Sequence, residues 1–166
     1  PGHSSSEYQE SRRAEVIVYQ SETTVKSIPD EPKNSVTLSE IDLDSAKVGD
    51  KINLSNIIFE GVKRYVLPES RYELEAITQL LLKHKNYTFE IQGHVCCTGP
   101  YEPDGKDNDT GLKNLSEMRA LQIYQYFKAA GIHEDRMTYK GYGGQFPLGG
   151  DVKYDRRVEI EITEVK

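Results

Sequence analysis

Two adjacent cysteines, Cys96 and Cys97, carry the most reactive side chains of this chain. Their Cα atoms must lie about 3.8 Å apart, which is shorter than the ~4.4 to 6.8 Å of an ordinary disulfide, so a ring between them would be strained. Two cysteines cannot supply the four ligands of a structural zinc site. We expect two small, partly buried thiols, with a vicinal disulfide as the alternative in an oxidising compartment.

An acidic loop follows the cysteines and offers oxygen atoms at Asp104, Asp107 and Asp109. Its spacing is faintly similar to that of a calcium loop, but it lacks the glutamate at the twelfth position and the regular alternation of acids. The glycine-rich stretch that starts at Gly141 lacks the lysine and hydroxyl residues of a phosphate-binding loop. His94 has no second ligand at metal spacing and is expected to be structural. The residues therefore predict no cofactor, no metal site and no catalytic residues.

The composition limits the size of the fold and the class of partner. With 166 residues and 36% hydrophobic content, the chain can bury one substantial core. A net charge of -6 argues against nucleic acid or an anionic membrane surface as the partner. No apolar run approaches the roughly 20 residues of a membrane span, and the first thirty residues lack the apolar centre of a secretory signal.

Hydrophobic periodicity predicts six elements in the order strand, helix, strand, helix, strand, strand. A strand with a bend is expected from Ile52 to Phe59, and a helix is expected after Pro68, which suits a first helical turn. The other predicted elements are a strand from Tyr87 to His94, a helix from Leu115 to Ala130, and strands over 137–141 and 158–162. This order predicts an α+β fold, a two-layer β-α-β-α-β-β sandwich with both helices on one face of a small mixed sheet.

The first fifty residues are predicted to be an extension or the tail of an upstream domain, and residues 51–166 the main domain. A short strand is expected from Ala14 to Tyr19, followed by a linker with Pro29 and Pro32. That strand could pair with a sheet edge, either in the same chain or in a second copy of the protein, which would give a dimer.

Several short motifs occur in an order that resembles the OmpA-like family across about a hundred residues. They are Ile58-Phe59, Gly93-His94, Leu115-Ser116-Glu117-Met118-Arg119-Ala120, Gly131-Ile132 with Arg136, Gly141-Tyr142-Gly143 and Arg156-Arg157-Val158. The resemblance implies a periplasmic module, associated with the outer membrane of a Gram-negative bacterium, that binds peptidoglycan without a covalent bond. It also implies outer-membrane proteins or lipoproteins as partners.

The family resemblance further implies how the diaminopimelate residue of the stem peptide is held. An arginine, which maps onto Arg119 beside Leu115 of the Leu-Ser motif, would bind its carboxylate, and an aspartate would bind its ammonium group. The family's aspartate corresponds here to Cys96, so the sequence is identified as a variant subtype with a Cys-Cys loop. By position in the motifs, Cys96 and Leu115 are also predicted to line the ligand site. Asp107 or Asp109 is predicted to supply the missing carboxylate, and either Arg156 or its neighbour Arg157 to face the site.

Two other classes of function remain open at the level of sequence. The pocket could have lost its ligand, so that the domain docks a protein partner in the periplasm. Alternatively, a thiol-redox or metal-dependent enzyme could be built on Cys96, Cys97 and the acidic loop, although we expect no enzymatic activity.

Overall fold

The computed structural model describes residues 43–98 and 102–166. Four strands and two α-helices occur in these ranges: β1 (Lys51–Asn53), α1 (Arg71–Lys83), β2 (Tyr87–Gly93), α2 (Leu115–Ala129), β3 (Met137–Gly141) and β4 (Val158–Val165). A 3-10 turn, Pro68–Ser70, leads directly into α1. The predicted strand from Ala14 to Tyr19 lies outside the described residues.

The four strands form one mixed sheet in the order β1-β4-β2-β3. β2 is parallel to β3 and antiparallel to β4, and β4 is antiparallel to β1. Alternate side chains of the central strands enter a single core that both helices cover, as the period of two predicts. The buried core includes Ile52, Leu74, Ile77, Leu81, Phe89, Ile91, Ala120, Ile123, Phe127, Val158, Ile160 and Ile162.

The predicted α+β fold and its element order are confirmed, with differences at the element ends. The first strand is shorter than expected because Ser55 and Asn56 form a turn, and Phe59 makes only an isolated bridge to Val66. The last strand is longer because β4 continues to pair with β2 as far as Val165. Gly131 has a φ of +100° directly after α2, the left-handed conformation that glycine adopts readily at a helix end.

Two glycines on neighbouring strands let the first turn of α2 lie directly on the sheet. Gly93 of β2 is in register with Gly141 of β3. A Cβ atom at Gly93 would lie 1.9 Å from the carbonyl oxygen of Ser116, and one at Gly141 would lie 2.5 Å from the amide nitrogen of Glu117. Both distances are far below van der Waals contact, so only glycine permits this approach. The approach fixes the start of α2, which carries Arg119, at the end of β2.

Residues that precede β1 also pack on the domain. Leu43 is buried in the core, and its carbonyl oxygen accepts a hydrogen bond from the Tyr87 hydroxyl. Gly49 donates a backbone hydrogen bond to Ile162. Neither helix described in residues 43–98 and 102–166 is long and apolar enough to cross a bilayer.

Candidate functional site

Arg119 lies one turn into α2 and is buried against the loop that follows Phe59. Its side chain is only 3% exposed, and its guanidinium carbon lies 4.8 Å from the centre of the Phe59 ring. Its Nε donates to the carbonyl oxygen of Lys63 at 3.1 Å, and Nη2 donates to that of Gly61 at 2.7 Å. Among the described residues no carboxylate forms a hydrogen bond with this guanidinium, and Nη1 has no hydrogen bond.

Several charged groups act on Arg119 and show which residues lie around it. Burial, and after it the positive charge of Arg156, lower the pKa of Arg119 to about 10. Asp104, Cys96 and Asp107 act in the opposite direction. The group remains charged at neutral pH. Four of the predicted site residues, Arg119, Arg156, Cys96 and Asp107, therefore belong to one electrostatic neighbourhood.

Asp107 is fully buried, and one of its carboxylate oxygens has no hydrogen bond among the described residues. Oδ1 accepts the backbone N–H of Asp109 at 3.0 Å. Oδ2 lies 3.4 Å from Nη1 of Arg64 but receives no hydrogen bond from it. Most buried carboxylate oxygens are fully bonded, because leaving one unsatisfied costs free energy. Asp107 is thus paired in charge with Arg64, but its Oδ2 is an acceptor that no described residue hydrogen-bonds.

Asp109 and Leu115 have different surroundings from Asp107. The Asp109 side chain is exposed, and its charge raises the pKa of Lys63 and Arg64, although other groups act more strongly on both. Leu115 is buried, and its backbone N–H donates to the carbonyl oxygen of Gly105 at 3.0 Å. Leu115 therefore fixes the long loop against α2.

Asp104 connects the long loop to α2. Its Oδ1 accepts the backbone N–H of Ser116 at 3.0 Å, and its Oδ2 accepts the Ser116 hydroxyl at 2.6 Å. The Ser116 hydroxyl oxygen also accepts the N–H of Gly143. A carboxylate at a helix N-terminus satisfies free N–H groups and is favoured by the helix dipole. Asp104 thereby joins the loop, the start of α2 and the Gly141–Gly143 turn beside Arg119.

The two cysteines are free thiols at the edge of this neighbourhood. Cys96 is half-buried and Cys97 is exposed. Burial raises the pKa of the Cys96 thiol, and a hydrogen bond with Cys97 raises it further, whereas Arg156 lowers it. Cys97 has a φ of +63°, a conformation that residues other than glycine rarely adopt.

The structure distinguishes the two arginines that precede β4. Arg156 is exposed on the side of Arg119 and Cys96, whereas Arg157 is buried on the sheet face opposite the helices. Arg157 Nε donates to Glu159 Oε1 at 2.5 Å. His94 stacks on Tyr142 with 5.7 Å between ring centres, and its Nε2 lies 3.6 Å from Glu159 Oε2. His94 therefore belongs to a polar cluster with Arg157 and Glu159 on the opposite face.

Acidification is expected to destabilise the domain through Glu159. Burial alone would raise the pKa of this carboxyl, but His94 and Arg157 offset it and lower the pKa to about 2. The His94 contact at 3.6 Å is longer than a hydrogen bond, so Arg157 supplies most of the effect. A depressed carboxyl pKa contributes stability that is complete above the unfolded value and is lost as pH falls towards the folded value.

Urea denaturation between pH 6 and pH 2 measures this contribution. The wild-type free energy of unfolding should fall as the pH drops from about 4.5 to about 2, the range between the ordinary and the shifted pKa. Glu159→Gln should be less stable at neutral pH and should lose less on acidification. Equal pH dependence of the two proteins would show that Glu159 is not the group responsible.

The residues that hold Arg119 in place could not be predicted from the sequence. The carbonyl oxygens of Gly61 and Lys63 are 58 and 56 residues away along the chain, and backbone acceptors have no sequence signature. Arg64, which lies beside Asp107, was missed because it comes from a distant part of the chain. The assembled site combines a buried guanidinium with a free edge, a second exposed guanidinium and a buried acceptor. This arrangement can bind an acid and an amine on one ligand.

Three comparisons place the chain among known proteins. The model of the OmpA family matches residues 58–160. A photosystem I P700 chlorophyll a apoprotein A2 from Gloeobacter violaceus is 31% identical over 122 residues, which are 66% of this chain and 13% of that protein. Outer membrane protein A from Buchnera aphidicola is 29% identical over 123 residues, 64% of this chain and 33% of that protein. The chain thus spans a third or less of the length of these relatives.

A solved structure shows the same fold. The cell wall anchor of the T6SS from Pseudomonas aeruginosa superposes with a TM-score of 0.55 at 21% identity, over 71% of this chain and 87% of that chain. At this identity the likeness concerns the fold alone. The family match covers well over half of the sequence and includes both helices, β2, β3 and the candidate site. The chain therefore belongs to the OmpA family.

Proposed function

We propose that this domain binds peptidoglycan without a covalent bond and anchors an outer-membrane protein or lipoprotein to the cell wall. In this proposal the ligand is the diaminopimelate residue of the stem peptide. Arg119 binds its carboxylate through the free Nη1 edge, with Arg156 nearby, and Asp107 binds its ammonium group. The domain acts by binding and not by catalysis.

The observation that carries the proposal is a buried guanidinium without a carboxylate partner in the described part of the chain, near a buried carboxylate that keeps one oxygen without a hydrogen bond. Arg119 donates only to backbone carbonyls, so its charge has no carboxylate partner among the described residues. Asp107 has a carboxylate oxygen without a hydrogen bond and is 0% exposed. Buried charges are costly unless they are paired. A ligand with a carboxylate and an ammonium group at one carbon would pair the charge of Arg119. It would also supply the hydrogen bond that Asp107 Oδ2 lacks among these residues, beside its ion pair with Arg64.

The exchange of the family's aspartate for Cys96 agrees with this assignment. Cys96 is beside Arg119 and Arg156 but is a thiol with a raised pKa, so it is a poor partner for an ammonium group at neutral pH. Asp107 comes from the long acidic loop, which folds back so that its own backbone bonds to Leu112 and Gly111. The loop thus brings in a carboxylate that the β2 end lacks.

The related proteins support the cellular setting of the proposal. One relative is an outer membrane protein A, and one protein with the same fold is a cell wall anchor. We therefore place the domain in the periplasm of a Gram-negative envelope, in association with the outer membrane. We also propose that residues 1–50 form an N-terminal extension and residues 51–166 the main domain. A dimer would form through the strand predicted from Ala14 to Tyr19.

One observation favours a second function, docking of a protein partner. The Arg119 guanidinium is held by its own chain and is nearly buried, which limits the edge available to a ligand. Exposed apolar side chains lie on the two loops around it, and those loops touch where Asn108 donates to the carbonyl oxygen of Val62. These side chains belong to Val62, Tyr65 and Leu112.

The experiment that tests the proposed function compares Asp107→Asn with Asp109→Asn. Calorimetry measures the affinity for a tripeptide that contains meso-diaminopimelate and for an analogue that lacks the distal amine. Asp107→Asn should weaken binding of the diaminopimelate peptide on the order of tenfold or more, because it removes one charge-assisted hydrogen bond. It should leave the affinity for the amine-free analogue unchanged.

Asp109→Asn is the matched control, since it makes the same chemical change on an exposed neighbour in the same loop. It should alter neither affinity. Equal losses in the two variants would assign the effect to the general charge of the loop. Failure of the wild-type protein to bind any diaminopimelate peptide or purified peptidoglycan would refute the function and leave docking as the better account.

A further inference from the structure

Cys96 and Cys97 are adjacent free thiols that the proposed ligand binding does not require. We propose that they are a redox modification site, at which a reversible vicinal disulfide closes and weakens ligand binding at Arg119. The first half of this inference is the formation of the disulfide, which does not depend on the proposed function. The second half is the weaker ligand binding, which rests on the proposed function.

The accessibility of the two thiols sets the order in which they would react. Cys97 is exposed, whereas Cys96 is half-buried and directly precedes it in the chain. The exposed thiol is therefore the one that an external disulfide can reach. The half-buried thiol of the adjacent residue can then complete the exchange.

The oxidant in this reaction is another disulfide, either a small molecule or a protein. The Cys97 thiolate attacks one sulfur of that disulfide, which forms a mixed disulfide and releases one thiolate of the oxidant. The Cys96 thiolate then attacks Cys97 Sγ and releases the second. Cys96 and Cys97 lose two protons and two electrons, and the oxidant disulfide is reduced to two thiols.

Ring strain makes such a bond easy to reverse. Adjacent Cα atoms lie about 3.8 Å apart, below the usual ~4.4 to 6.8 Å of disulfides. Strained and exposed disulfides are more readily reduced than structural ones, and they are the labile and regulatory class. The pair therefore fits a switch better than a permanent cross-link.

Ring closure must move the backbone next to the ligand site. Cys97 has a φ of +63°, and the segment around it is tightly held. Val95 donates to the carbonyl oxygen of Gly143 at 3.0 Å, and a Cβ atom at Gly144 would lie 2.2 Å from Thr98 Oγ1. A changed peptide between Cys96 and Cys97 must therefore displace either the Gly143–Gly144 turn or the Cys96 side chain. Both lie beside the residues that surround Arg119.

Thiol counting and mass spectrometry on the full chain test the first half of the inference. After incubation with oxidised glutathione, the wild-type chain should remain monomeric, carry no glutathione and have no alkylatable thiol. A peptide that contains residues 96 and 97 should be lighter by two hydrogen atoms. A persistent glutathione adduct, a disulfide-linked dimer or two free thiols would each overturn the disulfide.

Affinity for the diaminopimelate tripeptide tests the second half. Oxidation should weaken wild-type binding on the order of tenfold, within the usual range of coupling between two sites. Cys97→Ser should bind like the reduced wild type and should not respond to the oxidant. If the disulfide forms and the affinity is unchanged, the regulatory half is wrong. If reduced wild type does not bind, the proposed function fails while the mass result still decides the modification.

Discussion

Replacement of Arg119 by lysine is expected to remove most of the ligand affinity, on the order of 100-fold, while leaving a folded domain. Lysine keeps the positive charge but cannot bond the carbonyl oxygens of Gly61 and Lys63 and also present a second edge to a carboxylate. The free energy of unfolding should fall by roughly 2 kcal/mol as those hydrogen bonds are lost. Calorimetry with the diaminopimelate tripeptide and urea denaturation measure the two effects.

Arg136 provides a matched control for this change. Its guanidinium donates to the carbonyl oxygens of Leu81, His84 and Tyr87, and burial lowers its pKa, as it does for Arg119. Arg136 therefore has the same kind of bonding without a place in the candidate site. Arg136→Lys should reduce stability by a similar or larger amount and should leave ligand affinity unchanged.

The two variants separate a binding arginine from a structural one. If both variants lose stability and neither loses affinity, Arg119 only holds the Gly61–Lys63 loop in place. Docking of a partner through the exposed side chains of Val62, Tyr65 and Leu112 then becomes the better explanation. If the affinity of Arg119→Lys falls only as far as its smaller folded fraction explains, the effect is again structural. Loss of affinity at a ligand concentration where the variant is fully folded supports the direct role.

The element order and the faces of the sheet were predictable from the sequence because both depend on local periodicity. Phe89 and Ile91 alternate with polar residues, and Ile123 and Phe127 are spaced by one helical turn, so each pattern identifies its element and its buried face. The bend after β1 was predicted only in part, since a bend within one long strand was expected and Ser55 and Asn56 instead form a turn that follows a short strand.

The candidate site was less predictable because its contacts join distant parts of the chain. Arg119 could be identified from its motif, but the carbonyl groups that hold it could not. Asp107 and Asp109 were equivalent as sequence, and burial separates them only after the loop has folded. The same holds for Arg156 and Arg157, which alternation assigns to opposite sides without saying which side carries the site.

Replacement of Gly93 by alanine is expected to destabilise the domain by more than about 3 kcal/mol, the range of severe backbone clashes in a core. The added methyl group would lie 1.9 Å from the carbonyl oxygen of Ser116, which belongs to the backbone of α2 and cannot rotate away. The whole first turn of α2 must then lift from the sheet. Urea denaturation measures the loss, and Gly141→Ala should behave similarly because its methyl group would meet the backbone of Glu117 at 2.5 Å.

Gly105→Ala is the control, because its methyl group would meet side chains and no backbone. The nearest atom is Cδ2 of Leu115 at 3.3 Å, which can shift slightly, and Leu115 Cβ and Val95 Cγ1 lie at ordinary van der Waals distances. The substitution should cost less than about 1 kcal/mol. If Gly93→Ala were equally mild, the close contact between α2 and the sheet would not be a real constraint. In the proposed function this contact is important, since it sets the position of Arg119 relative to Cys96 and Asp107. A Gly93→Ala protein that still folds in mild conditions should therefore bind the tripeptide more weakly than its remaining folded fraction explains.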